Sequence, residues 1–244
     1  MLTKLTQNSA LRFLTILMLA ASCSLFAQED DKSESVASIQ PDRDPMLEFY
    51  WNAAAEAFER EDPNAAALTY TMWARTWIHQ VSSSGDIAKT DTLVAEYEFK
   101  GDKTESYNVE KGNADQVSRI DFSYPDVFSG AYHVNFFPND TGGPELALGL
   151  VADSSAPELP DGLIVIDRQE KTLLRMYLYY PNRDGYKRFS RCFRFKEVNG
   201  FIFPDSVWEV GVKLGFLSNE NYRIETGVTD VLIDVAAPRE SSSE

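Results

Sequence analysis

The sequence predicts an α+β domain built on one strongly curved antiparallel sheet, with a helix at its N-terminal end. Three observations predict it. Apolar residues recur at helical spacing just after residue 44, hydrophobicity then switches to a period of two from about residue 69, and aromatic residues make up 12% of the chain. An interior rich in rings suits strands better than helices.

The first 27 residues read as an export signal. Lys4 and Arg12 give a short basic start, residues 11–21 (LRFLTILMLAA) form an apolar run, and small residues follow at Ser22 and Ala27. The run is too short for a membrane span. Two processing readings stand side by side. Ser24-Leu25-Phe26-Ala27 offers a cut after Ala27, whereas Leu19-Ala20-Ala21-Ser22-Cys23 resembles a bacterial lipobox that would lipidate Cys23. Residues 28–43 (QEDDKSESVASIQPDR) are polar, acidic and aperiodic, as a disordered tether would be, and the tail at 238–244 reads alike. A single domain is expected over 44–237.

Charge narrows the partners. The sequence carries 23 Lys+Arg against 38 Asp+Glu, a net charge of −15. Losing the leader removes two of the basic residues and none of the acidic ones. Such a chain is repelled by nucleic acid and by anionic lipid surfaces, so its contact with membrane is expected only through a lipidated N-terminus. Cys23 and Cys192 are the two cysteines. Export removes or modifies the first, so no internal disulfide is expected and the core must supply the stability.

Element by element, Asp44 is the predicted N-cap and Pro45 the first helical residue. Leu47, Tyr50, Trp51, Ala54 and Phe58 share a helix face, and Glu61-Asp62-Pro63 ends it. Asn64 would begin a second short helix. Strands are expected at 70–81, 91–100, 103–110, 130–137, 162–167, 172–180, 186–198, 201–210 and 221–231. At the 100–103 turn, a three-residue loop joins apolar faces by setting Tyr97 against Tyr107 and Ala95 against Val109. Asn199-Gly200 signals a type I′ hairpin that sets Val198 against Phe201, Arg194 against Asp205, Arg191 against Trp208 and Phe189 against Val210. Residues 138–161, rich in Gly, Pro, Ser and Asp, read as an irregular insertion.

Gly162-Leu163-Ile164-Val165-Ile166-Asp167 followed by Leu174-Arg175, and then Phe195-Lys196-Glu197-Val198-Asn199-Gly200 with Phe201-Ile202-Phe203-Pro204, resemble blocks of the bacterial lipoprotein-localisation (LolA/LolB-like) superfamily. The resemblance spans roughly 162–230. It implies an unclosed barrel whose open side is covered by helix, with an apolar cavity between them. It also implies a place in the periplasm or on the periplasmic face of the outer membrane, with a lipid or acylated protein as ligand and an envelope protein as a further partner.

Within that frame Leu174, Met176, Leu178, Phe189, Phe193 and Phe195 are the cavity candidates. Arg188 and Arg194 are candidates for contact with a headgroup, drawn from the basic run Lys187, Arg188, Arg191, Arg194 and Lys196. The plain alternatives are a filled core and an exposed strand face whose cations pair across the ladder, Arg194 with Asp205. His79 and His133 have no metal-ligand spacing, and neither metal nor cofactor is expected. Asp167 reads as turn chemistry and Cys192 as a small buried or half-buried thiol. Without a nucleophile motif or a phosphate loop, binding without catalysis leads. A ligand-free periplasmic adaptor and a carboxylate-dependent hydrolase are the alternatives.

Overall fold

The computed structural model describes residues 44–137, 142–215 and 218–234. The expected signal peptide with Cys23, the tether and the 238–244 tail lie outside them. Helix α1 (Pro45–Glu61) begins as the sequence requires: Asp44 accepts the Met46 amide at 2.8 Å and Pro45 opens the first turn. It closes at Asp62, whose amide donates to Phe58 at 2.8 Å. The second helix expected from Asn64 is instead a run of turns. The Asp62 carboxylate takes the Asn64 amide at 3.0 Å, and Ala67 turns left-handed at φ 49°.

Ten strands follow in one antiparallel sheet: β1 (Thr69–Val81), β2 (Ile87–Lys100), β3 (Lys103–Lys111), β4 (Tyr132–Phe136), β5 (Glu145–Ala152), β6 (Asp161–Asp167), β7 (Leu173–Tyr179), β8 (Tyr186–Val198), β9 (Phe201–Lys213) and β10 (Glu220–Ile233). Their order is β3-β2-β1-β10-β9-β8-β7-β6-β5-β4. The sheet is curved but unclosed, and its two edges, β3 and β4, are consecutive in the chain. Residues 112–131, which include a 3-10 helix at Ala114–Arg119, must therefore cross from one edge to the other.

Strand β5 overturns the expected insertion. Its leucines alternate, and Leu146, Leu148 and Leu150 are all buried on one face. The flanking Gly, Pro and Asp residues masked a strand of period two.

Register shifts account for the departures from the expected pairings. Tyr97 does oppose Tyr107 and Ala95 does oppose Val109, but through a two-residue turn that pairs Lys100 with Lys103, followed by a shift between Glu98 and Phe99. Along β8 and β9 the hairpin starts as expected, with Val198 opposite Phe201 and with Asn199 and Gly200 both at positive φ. Phe195 then opposes Pro204 and Arg194 opposes Ser206, so Asp205 drops out of the ladder. Proline cannot donate to the ladder, and a bulge beside it resolves the conflict. Beyond that point the pairing slips by one: Arg191 faces Glu209 rather than Trp208, and Phe189 faces Gly211 rather than Val210. On β7 the shift leaves Leu174 without a partner and sends Leu173 into the core.

Candidate functional site

Alternation divides every strand between an inner and an outer face. On the inner face Met72, Leu93, Leu148, Ile164, Met176, Leu178, Phe193 and Phe203 are each at most 2% exposed and form one continuous core. Two pieces of chain cover it. Helix α1 lies across β7 and β9 and contributes Ala54 and Phe58. The crossing segment 112–131 contributes Val117, Phe122 and Val127, with Tyr124 and Phe128 packed against them.

The crossing segment is layered between helix and sheet. Phe128 sits 4.8 Å from Trp51 and 5.3 Å from Phe58, ring centre to ring centre. Tyr124 meets Phe195 edge-on at 5.1 Å and Phe193 at 6.0 Å, while Phe122 meets Tyr97 at 5.0 Å. The Tyr124 hydroxyl donates to the Asp62 carboxylate at 3.0 Å, joining the segment to the end of α1. Burial raises the pKa of Asp62 and that of the Tyr124 hydroxyl.

Five of the six cavity candidates are on this face. Met176, Leu178, Phe193 and Phe195 belong to the covered core, and Phe189 is buried beyond its end, among Tyr180 and Tyr186. Leu174 is the departure, only half-buried because of the β7 bulge, and Leu173 has its place. Arg188 and Arg194 are exposed on the outer face, opposite the phenylalanines with which they alternate. Arg194 stands 3.9 Å from Asp205, and Lys196 reaches the same carboxylate at 3.8 Å. Asp167 caps its turn by accepting the amides of Gln169 and Glu170. His79 bonds Thr90, and Cys192 is buried.

The polar centre that the sequence reading missed is built around Arg191. Its side chain is 3% exposed and projects from the inner face between Phe189 and Phe193. The guanidinium donates to the Asp121 carboxylate at 3.1 Å, to the Ser123 carbonyl at 2.8 Å and to the Asp121 carbonyl. Its Nε lies 3.5 Å from the Glu209 carboxylate, an ion-pair distance rather than a hydrogen bond. Tyr222 donates to the other Glu209 oxygen at 2.7 Å. Burial raises the Glu209 pKa against the opposing pull of Tyr222 and Arg191. The signal was present in the sequence: 191 has the parity of 189, 193 and 195, so an arginine there had to enter the apolar face.

An open cleft of about 390 Å³ lies on the outer face and is lined by Trp73, Arg75, Val94, Glu110 and Asp230 among others. None of the cavity candidates borders it. Among the described residues no helix is long and apolar enough to cross a membrane.

No family model matches the chain, and no curated protein does. Solved structures similar to it include an outer membrane lipoprotein-sorting protein domain from Vibrio parahaemolyticus, at 9% identity and a TM-score of 0.45, covering 79% of this chain and 95% of that one. A DUF1329 family protein from Desulfovibrio piger is similar at 10% identity and a TM-score of 0.40, with coverages of 78% and 94%. A LolA superfamily protein from Nitrosomonas europaea is similar at 10% identity and 0.34, with coverages of 76% and 92%.

Proposed function

We propose that this chain is an exported envelope protein that acts as an adaptor, binding a protein partner through its surface and performing no catalysis. One observation carries this reading: the inner face of the half-barrel is filled by the chain itself. Met176 and Phe193 have no exposed surface, and Phe122, Tyr124 and Phe128 pack over the apolar face and the helix above it. Interior side chains this fully buried leave no room for an acyl chain unless something moves. The leader sequence supports export. The converging carboxylates, Asp121 and Glu209, are both engaged by Arg191, which fits ion pairing better than acid–base chemistry.

A second reading has its own support. An apolar or acylated ligand would lie against Met176, Leu178, Phe193 and Phe195 after displacing the 112–131 segment. The Tyr97 and Tyr132 hydroxyls are buried without a hydrogen-bond partner, and unpartnered polar groups inside a core are uncommon. Burial pushes the Tyr97 hydroxyl up to about 12, so it stays a neutral donor. The resemblance of 162–230 to the lipoprotein-localisation family also favours this reading.

Native mass spectrometry of the mature protein, purified gently from envelope extracts, separates the two. The adaptor reading expects the bare protein mass. A bound species of lipid mass, lost on denaturation, overturns it in favour of the second reading. The same intact mass reports whether the leader is cut after Ala27 or at a lipidated Cys23.

A further inference from the structure

Next to the Arg191 centre, the end of the inner face carries a group of rings. Phe189 forms the floor, with its ring centre 5.3 Å from Tyr180 and 5.0 Å from Tyr186 and tilted by 59° and 56° against them. Tyr186 continues the wall toward Tyr222 at 6.3 Å. Phe189 is buried, while Tyr180 and Tyr186 are partly exposed, so the edge of the group reaches solvent.

A cation sits in it. The Arg183 guanidinium carbon lies 3.7 Å from the Phe189 ring centre and 5.5 Å from each of the Tyr180 and Tyr186 rings. Three π-faces around one positive charge are the arrangement by which proteins recognise organic cations, and attraction of this kind grows as water is excluded. The distance of 3.7 Å to Phe189 suits a flat guanidinium lying on a ring. Arg183 belongs to no strand. It comes from the turn between β7 and β8, where Gly185 is left-handed at φ 79° and the Tyr186 amide donates to the Arg183 carbonyl at 3.1 Å. Its side chain can therefore leave without breaking a ladder.

Charge favours a replacement. Tyr180 feels the charges of Arg183, Arg191, Asp121 and Glu209 together, so the four form one electrostatic group. With Arg183 swung out, two carboxylates face one guanidinium, and the vacated rings lie in a field that attracts a cation.

We propose that the Tyr180–Tyr186–Phe189 cage is a binding site for an external guanidinium, namely an arginine side chain presented by a polypeptide partner, and that Arg183 is its built-in competitor. This deepens the adaptor reading and rests on it. An occupied cage lowers the apparent affinity of the incoming cation by the fraction of molecules that are open.

The test uses the full mature chain and its Arg183→Ala variant. Methylguanidinium chloride is titrated while the aromatic ring NMR signals of Tyr180, Tyr186 and Phe189 are followed, with sodium chloride at equal ionic strength and tert-butanol as a neutral control. Saturable shifts are expected in Arg183→Ala, about tenfold weaker in the native chain, and none with tert-butanol. Arg183→Gln serves instead if circular dichroism shows Arg183→Ala misfolded. Absence of saturable shifts overturns the site, as does an equal response to tert-butanol. Persistence of the shifts after adding Tyr186→Ala overturns it too. A response to tetramethylammonium but not to methylguanidinium overturns the arginine assignment. Because the probe is a small cation, failure here leaves the adaptor reading intact, and a lipid adduct in native mass spectrometry refutes that reading without touching the cage.

Discussion

Arg191 on β8 and Asp121 on the crossing segment meet at 3.1 Å although 70 residues separate them in the chain, and the contact fastens the cover of the half-barrel to its floor. The same guanidinium also holds two backbone carbonyls of that segment and stands beside Glu209. A buried arginine with this set of partners is costly to lose, since its removal takes from the buried Glu209 its ion-pair partner and from the crossing segment three contacts.

Replacing Arg191 with alanine is expected to destabilise the protein by about 3–5 kcal/mol, read as a lower urea midpoint. Pairing Arg191→Met with Glu209→Leu should recover much of the loss, because no buried charge is then left alone. A single variant with native stability would show that the contact does not fasten the cover.

Stability should fall with rising pH through the Glu209 titration. Burial holds the folded-state pKa above the ordinary 4.5, so the folded protein keeps this proton longer than the unfolded chain does. The stabilising contribution is then complete below that value and is lost as pH rises through the folded pKa. Asp62 shifts in the same direction. Glu209→Gln removes one of the two titrations, and its stability should decline less steeply than the native protein's from roughly pH 4.5 to neutrality. Equal slopes for the two proteins in urea unfolding would reject this assignment.

Core and surface should separate sharply on one strand. Phe193→Ala is expected to cost about 3–5 kcal/mol through the cavity it leaves under Tyr124. Arg194→Ala, one residue later and 65% exposed, should change stability by no more than about 0.5 kcal/mol. Denaturant midpoints of the two variants decide whether 193 faces inward as described.

Gly211 is required for space. A Cβ added there would lie 2.5 Å from the Tyr222 ring, which covers the glycine while its hydroxyl holds Glu209. Gly211→Ala should cost about 1–3 kcal/mol by overpacking. Tyr222→Leu in the same chain should suppress most of that cost, giving a strongly non-additive double-mutant cycle. Additive losses would mean that the ring is not the obstacle.

Much of the architecture was legible because local chemistry decides it. Asp44-Pro45 starts a helix and Asp62-Pro63 stops one in almost any context, and period-two alternation located the other strands, although residues 138–161 concealed one of them. Asn199-Gly200 fixed its hairpin turn. The concealed strand, β5, shows the limit of composition: its glycine and flanking turn residues outweighed three alternating leucines, which only neighbours on both sides could organise into a ladder.

What the sequence by itself determined was the N-terminal helix, nine of the ten strands in their order and the inward parity of Met176, Phe193 and Phe195. The tertiary structure decided registers and closure. Bulges at Leu174 and Asp205 redistribute side chains, and where a bulge falls is settled by pairing with the neighbouring strand rather than by one strand's alternation. It likewise decided that the inner face is filled, since β3 and β4 become opposite edges of one sheet only after β1 pairs with β10. The segment between them must then cross the core, and Arg191, read from the strand alone as the partner of Trp208, becomes the residue that holds it there.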